Sequence, residues 1–166
     1  TACAAPRPRR LAIVARADIP VPVKGRQYAY RLSLPLPTFS VEDSPLIREN
    51  RIATLEERLP LKVFGMAEDE AAAVRWLSDP ANHCELGIID IFLKQGTGLG
   101  VLKAARGLHL GTRLVVLSNF ATPDLRRACL ALGADEVFDK SNDIEILLGY
   151  CARMVAADGV AGGAIG

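Results

Sequence analysis

An apolar run that ends in a single carboxylate constrains the fold of this chain more than any other stretch. The run is Leu86–Ile91, and Asp90 is its only charged residue. A glycine-rich loop from Phe92 to Gly98 follows it directly. A short apolar run bounded by a turn is typical of a buried strand in a parallel sheet. Ligands of such sheets bind just beyond the carboxyl ends of the strands, and so Asp90 is a candidate functional residue.

Strand and helix patterns alternate on both sides of this run. Strands are predicted over residues 32–41, 61–66, 86–91, 113–117 and 134–138. Helices are predicted after Ser44–Pro45, over 68–78, over 98–106, after Thr122–Pro123 and from about Asn142. Five strands that alternate with five helices predict an α/β fold, a doubly wound five-stranded parallel sheet. We expect the strand order 2-1-3-4-5.

The charge of the chain is distributed unevenly. Residues 1–37 carry seven basic residues and one acid, a net charge of +6, which leaves −5 for the remainder of a chain whose net charge is +1. We expect a basic, proline-rich leader at 1–31 that is extended or disordered, a domain at 32–156, and a flexible glycine-rich tail at 157–166. An acidic domain is a poor candidate for nucleic-acid binding. Pro35 and Pro37 argue against a central position for the first strand.

Several classes of protein are disfavoured by features elsewhere in the sequence. No apolar run approaches the roughly 20 residues that cross a bilayer, and no secretory signal is present, so we expect a cytoplasmic location. The four cysteines form no CxxC pair, which suggests neither a zinc site nor a disulfide framework. Gly96–Gly100 resembles a dinucleotide-binding fingerprint but lacks its full spacing, so turn and packing glycines are the favoured interpretation.

Polar side chains stand at the ends of four of the five predicted strands. Glu42 and Asp43 follow the first strand, Asp90 ends the third, Ser118 the fourth and Lys140 the fifth. In the order 2-1-3-4-5 these strands are neighbours and share one edge. Three carboxylates this close repel one another unless a cation lies among them, and hard oxygen ligands favour Mg²⁺. With a lysine and a hydroxyl beside them, they predict a phosphoryl-group site with a carboxylate nucleophile.

Four segments at these strand ends also match a known family in order and spacing. They are Val41–Arg48, Ile88–Ile91 with its glycine loop, Val115–Ser118, and Gly133–Asp135 leading to Phe138–Ser141. With them, the region from about Phe39 to Met154 resembles the receiver domain of two-component response regulators, the CheY-like superfamily with its flavodoxin-like fold. The resemblance implies a phosphoprotein of a phosphorelay, which takes a phosphoryl group from a histidine kinase or phosphotransfer protein and signals to a protein partner.

The resemblance implies a role for each polar residue at the strand ends. Asp90 would accept the phosphoryl group. Glu42 and Asp43 would hold Mg²⁺ together with Asp90 and the backbone carbonyl of Phe92, with Asp43 favoured over Glu42 as a direct ligand. Ser118 would turn toward the phosphate and report its presence. Lys140 would pair with the acceptor and with a phosphoryl oxygen.

Three positions depart from the usual pattern of this family, one of which is Lys94, where proline is frequent four residues after the acceptor. The other two concern the lysine loop and the switch. Proline often follows the family's lysine, and here that residue is Ser141, which leaves the isomer of the Lys140–Ser141 peptide open. The family's switch aromatic usually lies three residues before the lysine. That position is Val137, with Phe138 beside it. Both residues are therefore candidates for a part in the switch.

Three functions remain open at the level of the sequence. The first is a single-domain receiver that signals through the face formed by helix 4, strand 5 and helix 5, as a monomer or a homodimer. The second is a pseudo-receiver adaptor that works without phosphorylation. The third is a phosphatase, which commonly needs an acid two residues after its nucleophile, where this chain has Phe92. We therefore expect no enzymatic activity beyond its own phosphotransfer and dephosphorylation, and no DNA-binding domain after the last helix.

Overall fold

The computed structural model describes residues 20–22, 28–30, 35–108 and 110–161. By its contacts the chain divides into two units, residues 1–34 and 35–166. In the first unit, Pro20–Pro22 and Tyr28–Tyr30 pair as a short antiparallel hairpin. Most of the leader expected at 1–31 lies outside the described residues, and so do residues 162–166 of the expected tail.

The second unit is a five-stranded parallel sheet with five helices. Its strands are β1 Leu36–Val41, β2 Leu61–Ala67, β3 Leu86–Asp90, β4 Arg113–Ser118 and β5 Glu136–Asp139. Its helices are α1 Pro45–Arg58, α2 Glu70–Ser78, α3 Gly98–Leu108, α4 Pro123–Ala131 and α5 Ile144–Ala161. The order across the sheet is β2-β1-β3-β4-β5, and each adjacent pair is parallel. The predicted fold and strand order are confirmed.

The first strand is central in this sheet, and so the expectation drawn from its prolines is wrong. Pro35 precedes β1, and Pro37 pairs with Lys62 of β2 while pairing with β3 begins only at Thr38. The carbonyl of Pro37 accepts a hydrogen bond from the Glu85 N–H (2.8 Å), just before β3 starts. The missing N–H of Pro37 therefore falls outside the ladder with β3, where it removes no hydrogen bond from the sheet.

Short polar side chains begin three of the helices. The Ser44 side chain accepts a hydrogen bond from the Ile47 N–H, and Pro45 is the first residue of α1. Thr122 caps α4 in the same way, again with a proline next. Asp69 caps α2 through the Ala72 N–H (2.7 Å). These side chains satisfy backbone donors that have no partner within the helix, and they place the loops before α1 and α4 at the carboxyl edge of the sheet.

The sheet separates two clusters of buried apolar side chains. The cluster toward α2, α3 and α4 includes Val101 and Cys129. The cluster toward α1 and α5 includes Leu55 and Leu147. All five residues of β3 are buried, as predicted for the central apolar run. Asp90 is therefore carried by the most enclosed strand, and its position is set by packing on both faces.

The cysteines of the described part of the chain are free thiols inside the domain. Cys84, Cys129 and Cys151 are buried and unpaired with one another, and Cys3 lies outside the described residues. Burial raises the pKa of the Cys151 thiol to about 11. This thiol is therefore protonated at neutral pH, a state that is not nucleophilic. Among the helices of the described residues, none has the length and apolar character that crossing a membrane requires.

Candidate functional site

The polar residues at the strand ends meet at the carboxyl edge of the sheet. Glu42, Asp90 and Ser118 are buried, and Asp43 and Lys140 are half-buried. Carboxylate oxygens of Glu42, Asp43 and Asp90 lie within 4.8 Å of one another. The Lys140 ammonium donates to Glu42 Oε2 (3.0 Å) and to Asp90 Oδ2, and its backbone N–H donates to the Ser118 carbonyl (3.0 Å). The structure thus brings together all five residues that the strand ends indicated.

Asp90 is held at both of its carboxylate oxygens. Oδ1 accepts a hydrogen bond from the Phe92 N–H (3.2 Å), and Oδ2 accepts from Lys140. The residue is only 4% exposed, so the ammonium of Lys140 offsets a charge that little water can solvate. The carboxylate is therefore oriented by the loop after its own strand and by the end of β5.

Asp43 connects two loops at the same edge. Its Oδ2 accepts a hydrogen bond from the Lys94 N–H (3.0 Å), which ties the β1–α1 loop to the β3–α3 loop.

The Phe92 ring is more than half exposed and meets Phe120 edge to face, with ring centroids 6.0 Å apart. These two residues follow neighbouring strands, β3 and β4. A metal contact by the Phe92 carbonyl stays a prediction.

The Ser118 hydroxyl faces the loop that follows its strand. Ser118 Oγ accepts a hydrogen bond from the Phe120 N–H (3.1 Å), and the residue is fully buried. Its proton remains free to be donated, since a hydroxyl is both donor and acceptor. The reporting role of Ser118 stays a prediction.

The peptide bond between Lys140 and Ser141 is trans, as are all peptide bonds of the described residues.

The two candidate switch residues lie on opposite faces of the sheet. Val137 belongs to the cluster toward α2, α3 and α4. Phe138 belongs to the cluster toward α1 and α5 and contacts Tyr150. Neighbouring residues of a strand alternate in this way, so Phe138 does not occupy the place of an aromatic at 137. Instead, Arg126 of α4 donates to the Val137 carbonyl and to Asp143 Oδ2 (3.4 Å). A cation therefore joins α4, β5 and the start of α5 beside Val137.

Arg51 is the residue of the site that the sequence interpretation missed. It lies on α1 and is 7% exposed, and Nη1 is 3.3 Å from Glu42 Oε2. Burial lowers the pKa of its guanidinium, while Glu42 and Asp90 raise it. One signal was present: Arg51 precedes the inward-facing Leu55 by four residues, the spacing of side chains on one helix face. A charged residue at that spacing, close in sequence to Glu42, indicates an internal ion pair.

The glycine-rich loop makes room for a carboxylate of α2. Glu70 Oε2 accepts a hydrogen bond from the Thr97 N–H (2.7 Å) just before α3 begins. A Cβ at Gly100 would lie 2.2 Å from the Glu70 carboxyl carbon. Gly96 has a positive φ of 74°, a conformation that glycine adopts without strain. Turn and packing requirements therefore account for these glycines.

Glu70→Ala is expected to destabilise the domain by about 1–2 kcal/mol, because Thr97 would lose the acceptor of its N–H at the start of α3. Urea unfolding followed by circular dichroism measures the change. Glu68→Ala, at an exposed position just before α2, is the matched control and should change stability by less than about 0.5 kcal/mol. Equal losses in the two variants would contradict a specific role of Glu70 at this loop.

The donor set fits a hard divalent cation, but its three carboxylates are not equivalent. Asp43 and Asp90 offer oxygens at the open edge of the sheet, the ligands that Mg²⁺ prefers. Both oxygens of Glu42 are already engaged. Oε1 accepts from the Ser44 N–H (3.2 Å), and Oε2 accepts from Arg51 and Lys140. Asp90 is also held at both oxygens, but it pairs with one cation, Lys140, whereas Glu42 pairs with both Arg51 and Lys140. Asp43 and Asp90 are therefore better placed than Glu42 as direct ligands.

Comparisons with known proteins identify the family. The model of the response regulator receiver domain matches residues 38–151, more than half of the chain. No curated protein matches this sequence. Among solved structures, the chain is similar to a two-component response regulator of the LuxR family from Aurantimonas sp. SI85-9A1. The identity is 20% and the TM-score 0.66, over 74% of this chain and 86% of that one.

Two further solved structures have the same fold. A chain of the CheX–CheY–BeF3–Mg²⁺ complex from Borrelia burgdorferi is 18% identical, with a TM-score of 0.64 over 75% of this chain and 90% of that one. A response regulator from Burkholderia pseudomallei with a phosphorylated aspartic acid is 19% identical, with a TM-score of 0.60 over 78% and 76%. Structural similarity at these sequence identities shows the fold alone. The match to the family model, in contrast, rests on the amino-acid sequence. The chain belongs to the family of response regulator receiver domains.

Proposed function

We propose that this chain is a phosphoacceptor receiver of a two-component phosphorelay, in which Asp90 takes a phosphoryl group from a histidine kinase or phosphotransfer protein. One observation carries the proposal. Asp90 lies buried at the end of the central strand, close to the carboxylates of Glu42 and Asp43, and is paired with Lys140. A carboxylate so placed is a nucleophile with a cation site on one side and an ammonium on the other.

The transfer forms one bond at Asp90 and breaks one bond in the donor. A carboxylate oxygen of Asp90 attacks the phosphorus of a phosphohistidine, and the phosphorus–nitrogen bond breaks. The electron pair of that bond returns to the imidazole nitrogen, which takes up a proton from solvent. The product is an acyl phosphate on Asp90, and its hydrolysis by water restores the carboxylate and releases inorganic phosphate. These are the only reactions that we assign to the chain.

Three groups of this chain would hold Mg²⁺ directly for that transfer. They are the carboxylates of Asp43 and Asp90 and the backbone carbonyl of Phe92, with Glu42 behind them. When bound, the ion supplies positive charge to the phosphoryl oxygens. Asp43 is oriented for this role by the Lys94 N–H. The beryllofluoride and Mg²⁺ named for the Borrelia complex support the assignment by analogy.

Lys140 and Ser118 would respond to the new phosphoryl group. Lys140 can exchange its contact with Asp90 for a phosphoryl oxygen, since an ammonium binds as a point charge without fixed geometry. Ser118 can release the Phe120 N–H and donate its own proton to the phosphate. That rotation would alter the β4–α4 loop, which continues directly into α4. We propose that the change reaches a protein partner through α4, β5 and α5.

Labelling with acetyl phosphate tests the proposal. The full chain is incubated with acetyl phosphate and MgCl₂, and intact-mass spectrometry is expected to show one added phosphoryl group that is stable to acid and labile to base. Peptide mapping is expected to place it on Asp90. The same incubation with EDTA is the control and should give little label. A folded protein that takes no label, or takes it at another residue, would contradict the assignment.

The pseudo-receiver is the second candidate, and one observation favours it. Glu42, a member of the carboxylate cluster, has both oxygens bound to groups of the protein itself. An adaptor that works without phosphorylation would retain such a closed arrangement. Beryllofluoride, which resembles a phosphoryl group, separates the two candidates. Its failure to bind a folded sample with Mg²⁺ would favour the adaptor, and binding would favour the phosphoacceptor.

A further inference from the structure

Arg51 places a fixed positive charge beneath the carboxylates. We propose that Arg51 is a built-in counter-cation of the site, which holds Glu42 away from direct metal coordination and thereby weakens the binding of Mg²⁺. The proposal rests on the proposed function, because it concerns the metal site of the phosphoacceptor. It makes Arg51 a positioning residue, which acts on the metal through Glu42.

The guanidinium is enclosed by polar groups at the end of β1 and by Glu42, the residue that follows it. Nη1 contacts Glu42 Oε2 (3.3 Å), and Nη2 donates to Ser40 Oγ (2.9 Å) and to the Val41 carbonyl (3.4 Å). The Arg51 side chain is 5% exposed and that of Glu42 1%. Three acceptors from consecutive residues thus hold one cation in a single position. An ion pair shielded from water to this degree is screened little by salt.

The alternation of side chains along β1 explains how this arrangement arises. Phe39 and Val41 belong to the cluster toward α2, α3 and α4. Ser40 and Glu42 therefore lie on the opposite face, toward α1. Arg51 shares a helix face with Leu55, whose side chain enters the cluster on that side. Ser40 of the strand and Glu42 just after it therefore meet Arg51, the charged residue among the buried residues of α1.

One donor of Arg51 has no partner in this enclosure. Its Nε is buried and makes no hydrogen bond to any of the described residues. An unpaired buried donor lowers stability, and a leucine at this position would fill the space without one. Packing alone does not account for an arginine here. Its contact with Glu42 does, because without it a buried carboxylate would keep only Lys140 as a cationic partner.

The balance of charges links Arg51 to the metal. Two cations, Arg51 and Lys140, pair with carboxylates of the cluster, and a third, Arg48, lies nearby with its guanidinium bound to the Glu42 carbonyl (3.0 Å). Lys140, by the function proposed above, would turn toward a phosphoryl group, whereas Arg51 is held by three acceptors. A divalent cation that drew Glu42 into its shell would have to break the pair with Arg51. By reciprocity, Arg51 weakens metal binding as much as the metal weakens that pair.

Calorimetric titration of the full chain with MgCl₂ tests this coupling in a double-mutant cycle. Arg51→Met is expected to bind Mg²⁺ about fivefold more tightly than wild type or better, because Glu42 becomes available and a positive charge is lost. In a Glu42→Gln background, Arg51→Met should change the affinity much less, since most of its effect passes through Glu42. An affinity that is unchanged or weaker in Arg51→Met would overturn the proposal.

Thermal unfolding separates this role from a merely structural one. Arg51→Met should lower the melting temperature in EDTA, and saturating MgCl₂ should recover part of the loss, because the ion then compensates Glu42. Equal losses with and without the ion would overturn the proposal. If Arg51→Met does not fold, Glu42→Gln and Asp43→Asn, which remove the same charge, replace it. Asp43→Asn should weaken Mg²⁺ binding about fivefold more than Glu42→Gln, and the reverse order would overturn the proposal.

Acetyl phosphate labelling of wild type, run in parallel, distinguishes failure of the inference from failure of the proposed function. Wild type that is labelled, together with an unaltered affinity in Arg51→Met, refutes the role of Arg51 and leaves the phosphoacceptor in place. Wild type that neither binds Mg²⁺ nor takes label, together with an Arg51→Met variant that binds the ion, supports the role of Arg51. That second result would contradict the phosphoacceptor and favour the adaptor.

Discussion

Asp90→Asn is expected to abolish labelling by acetyl phosphate, with no phosphorylated protein detected under conditions that label wild type. The amide has nearly the shape of the carboxylate but no anionic oxygen that can attack phosphorus. Its carbonyl can still accept from the Phe92 N–H, and Lys140 keeps its bond to Glu42. The variant should therefore remain folded, so that loss of label reports loss of the nucleophile. Intact-mass spectrometry measures the label, and circular dichroism checks the fold.

The matched control for this experiment is Asp124→Asn. Asp124 is in the first turn of α4, and its side chain is 87% exposed. Asp124→Asn should therefore be labelled like wild type. Asp90→Asn that is labelled to the extent of wild type would remove Asp90 from the role of acceptor. A label found on Asp43 in wild type would do the same, since the two carboxylates are neighbours in the cluster.

Gly98→Ala is expected to destabilise the domain by about 3 kcal/mol or more. A Cβ at this position would lie 2.2 Å from the Asp90 carbonyl oxygen and 2.8 Å from Cα of Ile91, so backbone would have to move. The same contact includes the hydrogen bond from the Gly98 N–H to the Ile91 carbonyl (3.0 Å), which joins the start of α3 to the end of β3. Overpacking lowers the free energy of unfolding. We expect a loss at the upper end of the usual range here, because the clash is with backbone atoms, which cannot rotate away as a side chain can. Urea unfolding measures the loss.

Gly107→Ala is the control in the same helix. Nothing lies within 4 Å of a Cβ at Gly107, which is exposed near the end of α3. Alanine is the better helix former, so this variant should gain about 0.5–1 kcal/mol. Opposite signs for the two substitutions would show that close approach, and not helix propensity, decides Gly98. If Gly98→Ala loses less than about 1 kcal/mol, the close contact between α3 and β3 is not as described.

Elements of this fold could be predicted because their signals are local. Ser44–Pro45 and Thr122–Pro123 specify helix starts through bonds within one turn, and both helices begin there. The rule for proline in strands failed at Pro37, because it assumes that both neighbouring strands extend past the residue. Here β3 begins to pair one residue later, at Thr38. Where a neighbouring strand begins is a property of the sheet, which no single strand reveals.

The amino-acid sequence by itself determined the alternation of strands and helices and the polar residue at each strand end. Once the strand order was inferred, these residues had to meet at one edge, and Lys140 does reach Glu42 across 98 positions of sequence. Which oxygen accepts from which donor was decided only by the tertiary structure. The packing of α1 on the sheet directs Arg51 to Glu42, and that of α2 brings Glu70 to the glycine loop. Such contacts depend on the relative positions of packed elements, and local propensity carries no information about those positions.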